Sequence, residues 1–223
     1  LRRRGLPGSR AMKRFWFFDL DGTLADTEGD IRRAWKAALA DLGLDCPHFD
    51  DVYTTGPSLE EITKRLFPDT WTPEMLQAIR GSFARHYDTD GFPLTREYPG
   101  VLDRVRALKA AGAHVAIVTN KRLAGARAMA AKFGWGEVFE KIYTADMHRD
   151  DPAIGVLRKP DLLRRVLAEL DAAPADSVMV GDTVNDFEAA AKNGLESVAV
   201  AWGYGKPDER REATRTAQVP AEI

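Results

Sequence analysis

The chain has 223 residues, 44% of them hydrophobic, and a net charge of −2. This length allows one large hydrophobic core, or one domain that carries a smaller insert. Acidic and basic residues are interleaved rather than grouped, so the charge pattern gives no sign of a nucleic-acid or membrane partner. The expected partner is a small metabolite, and the expected oligomeric state is a monomer or a homodimer.

The single cysteine, Cys46, excludes an internal disulfide, and no apolar run is long enough to cross a bilayer. Together these features predict a soluble, cytoplasmic protein. The first residues are basic and broken by glycine and proline, and no apolar segment follows them, so they lack the pattern of a secretory signal. We expect residues 1–11 to be a tail or residues left by cloning, with Met12 as the natural start.

The first predicted strand, Phe15–Phe18, is an apolar run that gives way to Asp19 and Asp21. Residues two apart in an extended segment point to one side, so both carboxylates can face a single ligand. Their repulsion disfavours two ionised acids unless a cation or protons intervene, and the pair therefore predicts a metal ion. The alternative is an ordinary tight turn, in which Asp and Gly are common.

Residues 27–98 contain no convincing strand and instead show the periodicity of amphipathic helices. One predicted helix ends at Gly43, a second begins at Ser58 with a capping box, and a third follows Thr72 and Pro73. We interpret this segment as an inserted helical unit.

The loop at 53–58 precedes the second of these helices, and its free amide groups could face an anionic substrate group. An ordinary helix start explains the same sequence at least as well. Gly56 and Ser58 are the candidate specificity residues, because a glycine lets the backbone approach a ligand closely.

Strand-like and helical segments alternate after Pro99, which is typical of a parallel sheet with crossover helices. The predicted strands are His114–Val118, Ile142–Tyr143, Ser177–Val180 and Ser197–Ala201. With the first strand they make five, and the pattern predicts an α/β fold. The tail after Lys206 is polar and poorly patterned.

Two of these segments carry groups that could bind a phosphate. The second strand ends in Thr119 and Asn120, where a hydroxyl and a backbone N–H could hydrogen-bond to a phosphate oxygen, although threonine at a strand end is common. Lys159 opens a helix, where a cation fits the helix dipole poorly unless an anion is held there. Most single lysines, however, are simply solvated.

Two further acids follow the fourth strand, Asp182 directly and Asp186 one helical turn later. Asp186 alone is also explained as an acid in the first turn of a helix. Together with Asp19 and Asp21, the two acids place four carboxylates at one sheet edge. Such a group is readily neutralised by a hard cation such as Mg²⁺.

Four motifs in this order resemble those of the haloacid dehalogenase-like hydrolases, and within them the phosphoglycolate phosphatase-like members. The motifs are FFDLDGTLADTE, IVTNK, RKP and VGDTVNDFEAAAKNG, and the resemblance extends from Met12 to about Lys206. It implies a Rossmann-like parallel sheet core with helices on both faces and an inserted α-helical cap domain. The implied core is 12–26 with 99–223, and the implied cap is 27–98.

The resemblance also implies a role for each site residue. Asp19 would be the nucleophile that forms an aspartyl-phosphate, and Asp21 the acid and base. The groups that hold the phosphoryl oxygens would be Thr119, Asn120 and Lys159. The groups that bind Mg²⁺ would be Asp19, Asp182 and the backbone carbonyl of Asp21, with Asp186 in support. One departure from the family is the longer stretch 147–157, which could place Lys159 differently.

The implied function is Mg²⁺-dependent hydrolysis of a small phosphomonoester, with phosphoglycolate as the nearest candidate. Three alternatives remain open at this point. A phosphosugar mutase uses the same core, and a carbon–phosphorus hydrolase would need a Schiff-base lysine such as Lys36 or Lys64. A non-enzymatic phospho-receiver is a third alternative, although such modules are about half this length.

Overall fold

A parallel sheet of six strands forms the centre of the structure, a computed structural model that describes residues 13–223. The tail expected at 1–11, and Met12, lie outside the described residues. The strands are, in spatial order, β5 (Lys141–Thr144), β4 (His114–Thr119), β1 (Phe15–Phe18), β6 (Ser177–Gly181), β7 (Glu196–Val200) and β8 (Arg215–Ala217). All five predicted strands are present, and each of their bounds agrees with the prediction to within one residue.

The sixth strand, β8, was missed because the segment after Lys206 has no periodicity of its own. Its three residues pair with β7, and Ala201 N–H donates to the Ala217 carbonyl at 2.9 Å. Tertiary pairing therefore decides the conformation of this short edge strand, and local propensity does not.

Helices cover both faces of the sheet, as the fold class predicts. Trp16 and Phe18 of β1 belong to a core that includes the buried residues of α5 (Val101–Ala110) and α6 (Leu123–Phe133). The alternate residues of β1 belong to a second core with α7 (Lys159–Glu169) and α8 (Val184–Lys192). Because β1 is buried on both sides, its sequence is a continuous apolar run rather than an alternating one.

The segment 27–98 contains four helices, α1 (Glu28–Asp41), α2 (Phe49–Val52), α3 (Leu59–Leu66) and α4 (Pro73–Thr89). The three predicted helices are confirmed, and the short α2 is an addition. The capping box forms as expected, since Ser58 Oγ accepts from Glu61 N–H and the Glu61 carboxylate accepts from Ser58 N–H. Helices α1 and α4 pack through ring contacts such as Trp35 against Phe83, whose centroids are 5.9 Å apart. We call residues 27–98 the helical segment.

A short antiparallel pair of strands, β2 (Ala25–Asp26) and β3 (Arg96–Glu97), joins the entrance of the helical segment to its exit. The expectation that 27–98 contains no strand is therefore wrong at β3, because a two-residue pairing leaves no pattern in the sequence. No helix within residues 13–223 is long and apolar enough to cross a membrane.

Asp30 in α1 fixes the same junction through a buried carboxylate. Its Oδ2 accepts hydrogen bonds from the backbone N–H of Leu94 at 3.0 Å and of Thr95 at 2.7 Å, and from the Thr95 hydroxyl at 2.7 Å. Its Oδ1 lies 3.2 Å from the Arg33 guanidinium. This carboxylate therefore satisfies polar groups of the returning chain that the fold buries.

We expect Asp30→Ala to lower the free energy of unfolding by about 3 kcal/mol, because it leaves the three donors of Leu94 and Thr95 without their acceptor. The measurement is equilibrium denaturation by urea. Asp45→Ala, at an exposed position before α2, is the control and should leave the midpoint where it is. Equal midpoints for the two variants would contradict the structural role of Asp30.

Candidate active site

The carboxyl ends of three neighbouring strands bring the predicted site residues together. Asp19 follows β1, Thr119 ends β4, and Asp182 follows β6. Since β1 lies between β4 and β6, these residues lie at one edge of the sheet, which is where open α/β sheets place their ligands.

Three of the four predicted carboxylates converge. One oxygen each of Asp19, Asp182 and Asp186 lies within 4.8 Å of the others, and Asp182 and Asp186 are fully buried. Burial raises the pKa of Asp19 to about 6, and burial with the charges of Asp186 and Asp19 raises the pKa of Asp182 well above its ordinary value. A divalent cation would offset the cost of burying these negative charges together.

The donor set fits such a cation. Oδ1 of Asp19 and Oδ1 of Asp186 are buried beside the Lys159 ammonium, and within residues 13–223 neither oxygen has another hydrogen-bond donor. Buried carboxylate oxygens with free lone pairs are the ligands that Mg²⁺ and other hard cations take in proteins. The three acids could therefore hold a metal ion.

The Asp21 carboxylate lies outside this group of three. It forms an ion pair with Lys121 instead, with 2.8 Å between Lys121 Nζ and Asp21 Oδ1. The two acids of the first motif are therefore differently placed, one in the carboxylate cluster and one beside a lysine. Binding of a metal by the backbone carbonyl of Asp21 remains a prediction.

Asp186 caps a helix start, as its sequence position suggested, and it also contacts a buried lysine that the sequence did not connect with it. Its Oδ2 accepts from the backbone N–H and the hydroxyl of Thr183, each at 3.1 Å, which caps the start of α8. Its Oδ1 forms an ion pair with Lys159. One carboxylate thus orients the helix and carries charge at the site.

Glycine residues surround Asp182, so that main-chain atoms rather than side chains enclose its carboxylate. At Gly22, with φ +76°, an added Cβ would lie 2.2 Å from Asp182 Oδ2, and at Gly205 it would lie 1.7 Å from the Asp182 carbonyl oxygen. Between Gly203 and Gly205, Tyr204 N–H donates to Asp182 Oδ2 at 2.7 Å. This loop after β7 was missed from the sequence, where two glycines one residue apart after a strand were the available signal.

Lys159 is nine-tenths buried and is the first residue of α7. Its Nζ lies 2.9 Å from Asp19 Oδ1, so the longer stretch 147–157 does not displace it. Burial alone would lower the pKa of Lys159, but the carboxylates of Asp186 and Asp19 outweigh burial and raise it. The ammonium therefore stays charged beside Asp19.

The other residues assigned to phosphate occupy different environments. Thr119 is buried, and its Oγ1 accepts from Lys121 N–H at 3.2 Å, whereas Asn120 is exposed. Contact of these two residues and of Lys159 with a phosphate remains a prediction.

Lys121 is a buried residue of the second motif to which sequence reasoning gave no role. Besides Asp21, its Nζ donates to the hydroxyl of Tyr87 in α4. The contact joins the helical segment to the sheet edge. Its only sequence signal was its position two residues after the end of β4.

The loop at 53–58 lies over the residue that follows Asp182. Gly56 has φ +119°, and a Cβ added there would be 3.5 Å from the Thr183 methyl group. Ser58 caps α3, and its hydroxyl also donates to Glu61. Ser58 therefore fits the helix-start interpretation, while Gly56 lies close to the site.

Comparison with known proteins supports the resemblance. A model of the haloacid dehalogenase-like hydrolase family matches residues 16–200. The chain is 32% identical over 208 residues to the tyrosine-protein kinase PtkA of Mycobacterium tuberculosis, covering 93% of this chain and 68% of that protein. It is 32% identical over 203 residues to the phosphoglycolate phosphatase of Agrobacterium fabrum, covering 88% of this chain and 84% of that protein.

The crystal structure of CbbY from Rhodobacter sphaeroides in complex with phosphate has the same fold. Its TM-score is 0.77 at 27% identity, and the match covers 95% of this chain and 96% of that chain. The chain therefore belongs to the haloacid dehalogenase-like hydrolase family, and its Rossmann-like α/β fold with an inserted helical unit is confirmed.

We expect Mg²⁺ to raise the melting temperature of the wild-type protein, because a cation relieves the repulsion among the three buried acids. Asp182→Asn should require about tenfold more Mg²⁺, or more, for the same shift. Differential scanning calorimetry over a series of Mg²⁺ concentrations measures both. Asp176→Asn, at the exposed amino end of β6, is the matched control and should respond like wild type. A wild-type melting temperature that does not change with Mg²⁺ concentration would contradict the metal site.

Proposed function

We propose that the protein is a Mg²⁺-dependent phosphatase that hydrolyses a small phosphomonoester through an aspartyl-phosphate on Asp19. The observation that carries this proposal is the setting of Asp19, which has a buried ammonium at 2.9 Å and two buried carboxylates within 4.8 Å. A phosphate dianion repels a carboxylate nucleophile, so attack needs positive charge at this point. Lys159 provides one such charge.

The metal would be held by Asp19, Asp182 and the Asp21 carbonyl, with Asp186 in support. When bound, it supplies the further positive charge that the transferring phosphoryl group requires. In the first step Asp19 attacks phosphorus, the ester P–O bond breaks, and Asp21 gives a proton to the leaving oxygen. In the second step water attacks phosphorus, Asp21 takes a proton from it, and the Asp19 carboxylate is released.

The helical segment would act as a cap over this site, with the core formed by 12–26 and 99–223. Two contacts support this assignment: Tyr87 of α4 with Lys121, and Gly56 over Thr183. A cap excludes water from the site while the phosphoryl group is transferred. Asp21, which pairs with Lys121 beside the contact with Tyr87, would meet the leaving group.

Phosphoglycolate is the first substrate to test, because the relative from Agrobacterium fabrum carries that activity in its name. A phosphosugar mutase remains the nearest alternative, and turnover of a sugar bisphosphate would identify it. The carbon–phosphorus hydrolase is disfavoured. Lys36 and Lys64 are 51% and 43% exposed and pair with Asp50 and Glu60, whereas a Schiff-base lysine needs a depressed pKa in an apolar pocket.

Phosphoryl transfer to tyrosine is a second candidate, since the kinase PtkA is as similar as the phosphatase. None of the five tyrosines, all of which lie in the described part of the chain, is exposed. Three are buried, namely Tyr53, Tyr87 and Tyr143. This burial disfavours a tyrosine of the same chain as acceptor. Family membership also favours an enzyme over a passive phospho-receiver.

Asp19→Asn should reduce phosphate release by about 10³-fold or more, because the amide keeps the shape of the side chain but loses the nucleophilic charge. The measurement is a phosphate-release screen over small phosphomonoesters, with Mg²⁺ and with EDTA, and Asp176→Asn is again the control. Activity of Asp19→Asn within about tenfold of wild type would exclude the covalent mechanism. Covalent attachment of phosphate to a protein tyrosine, without release of free phosphate, would instead favour the kinase activity.

Gly56→Ala should change the order of preference among phosphomonoesters and leave the Mg²⁺ requirement unchanged. An L-residue is strained at φ +119°, so the substitution shifts the loop over Thr183 without touching the carboxylates. The measurement is kcat/KM for several substrates in both proteins. A uniform fall for all of them would show that the loop is only structural.

A further inference from the structure

We propose that Lys121 and Tyr87 are positioning residues for Asp21, so that proton donation to the leaving group depends on the contact between the helical segment and the sheet edge. The inference rests on the proposed function and adds to it two residues without an assigned role. It is carried by a continuous chain of contacts from α4 through Lys121 to Asp21.

Packing alone does not hold Asp21 in place. Its side chain is 22% exposed, against 12% for Asp19 and 0% for Asp186. Exposure is required of a group that must reach a leaving oxygen and later a water molecule. A general acid nevertheless has to stay within hydrogen-bond reach of the atom that it protonates, and small displacements are costly. Asp21 therefore needs an anchor other than packing.

Lys121 supplies that anchor. Its side chain is only 4% exposed, its Nζ lies 2.8 Å from Asp21 Oδ1, and its backbone N–H donates to Thr119 Oγ1. With Oδ1 held in this way, the other carboxylate oxygen of Asp21 remains available to the leaving group. A buried ammonium is costly unless it is paired, so the contact is maintained from both sides.

The helical segment fixes Lys121 in turn. The Tyr87 hydroxyl accepts from Lys121 Nζ, and the Tyr87 ring lies 4.4 Å from Nζ. The ring is held by Phe83, stacked at 5.2 Å, and by Phe92, edge-on at 5.2 Å. The next residue of α4, Asp88, pairs with Arg122 at 3.1 Å. The end of α4 is thus bound to the two residues that follow Asn120.

The test compares two leaving groups. p-Nitrophenolate leaves without being protonated, whereas the alkoxide of an alkyl phosphate needs a proton, and kcat/KM reports the steps up to formation of the aspartyl-phosphate. Wild-type hydrolysis of p-nitrophenyl phosphate and of an alkyl phosphate, phosphoglycolate in the first instance, tests the proposed function itself. The variants then test the positioning role separately.

For Lys121→Met we expect kcat/KM to fall about 100-fold for the alkyl phosphate and less than about tenfold for p-nitrophenyl phosphate. Tyr87→Phe keeps the ring stack and removes only the hydroxyl, so it should fold even if Lys121→Met does not. The fall in kcat/KM for Tyr87→Phe should be smaller than for Lys121→Met and should again be confined to the alkyl phosphate.

Lys132→Met is the matched control, because Lys132 also joins α6 to the end of the helical segment through the carbonyls of Gly91 and Phe92 but does not touch Asp21. It should leave the ratio of the two kcat/KM values at the wild-type level. Equal losses on both substrates for Lys121→Met and Tyr87→Phe would overturn the proposal. So would a changed ratio in Lys132→Met, because general docking of the segment would then explain the effect.

Discussion

Burial of like charges at the carboxyl edge of the sheet is the constraint on which the rest of the structure depends. Asp19, Asp182 and Asp186 place three carboxylates within 4.8 Å of one another, and within this cluster Lys159 offers a single positive charge. An unpaired buried charge costs several kcal/mol, so this arrangement has to be imposed by the surrounding fold. The raised pKa values of Asp19 and Asp182 reflect this cost, which the charge of Lys159 does not remove.

The fold imposes the arrangement through backbone contacts. Strand β1 is buried on both faces between β4 and β6, which fixes where Asp19 emerges. Around the acids, Gly22, Gly181 and Gly205 approach so closely that an added Cβ would overlap Asp182 or Asp186. Main-chain atoms packed against a carboxylate cannot move away by a rotamer change, as a side chain could. The cluster is therefore held rigidly by groups that side-chain substitution elsewhere in the core does not easily disturb.

The sequence was sufficient for features that are local or strongly periodic. The apolar run of β1, the capping box at Ser58 and the acids after β6 each depend on residues within one turn or one strand. Features made by distant segments were missed. Lys121 was given no role, because its partner Tyr87 lies 34 residues away in the sequence and no local pattern links the two. The strand β8 and the Tyr204 loop similarly acquire their roles only through tertiary contacts.

The two acids of the first motif illustrate how one short segment meets opposite demands. Under the proposed function, Asp19 must meet the phosphorus atom in one fixed orientation, and a rigid, buried position suits it. Asp21 must exchange protons with a leaving group and then with water, so it has to remain accessible. An accessible side chain loses the orientation that packing would provide, and it regains it only from a specific polar partner. Lys121 is such a partner for Asp21. Because Lys121 is itself held by Tyr87 of the helical segment, Asp21 acquires its full orientation only where that segment meets the sheet.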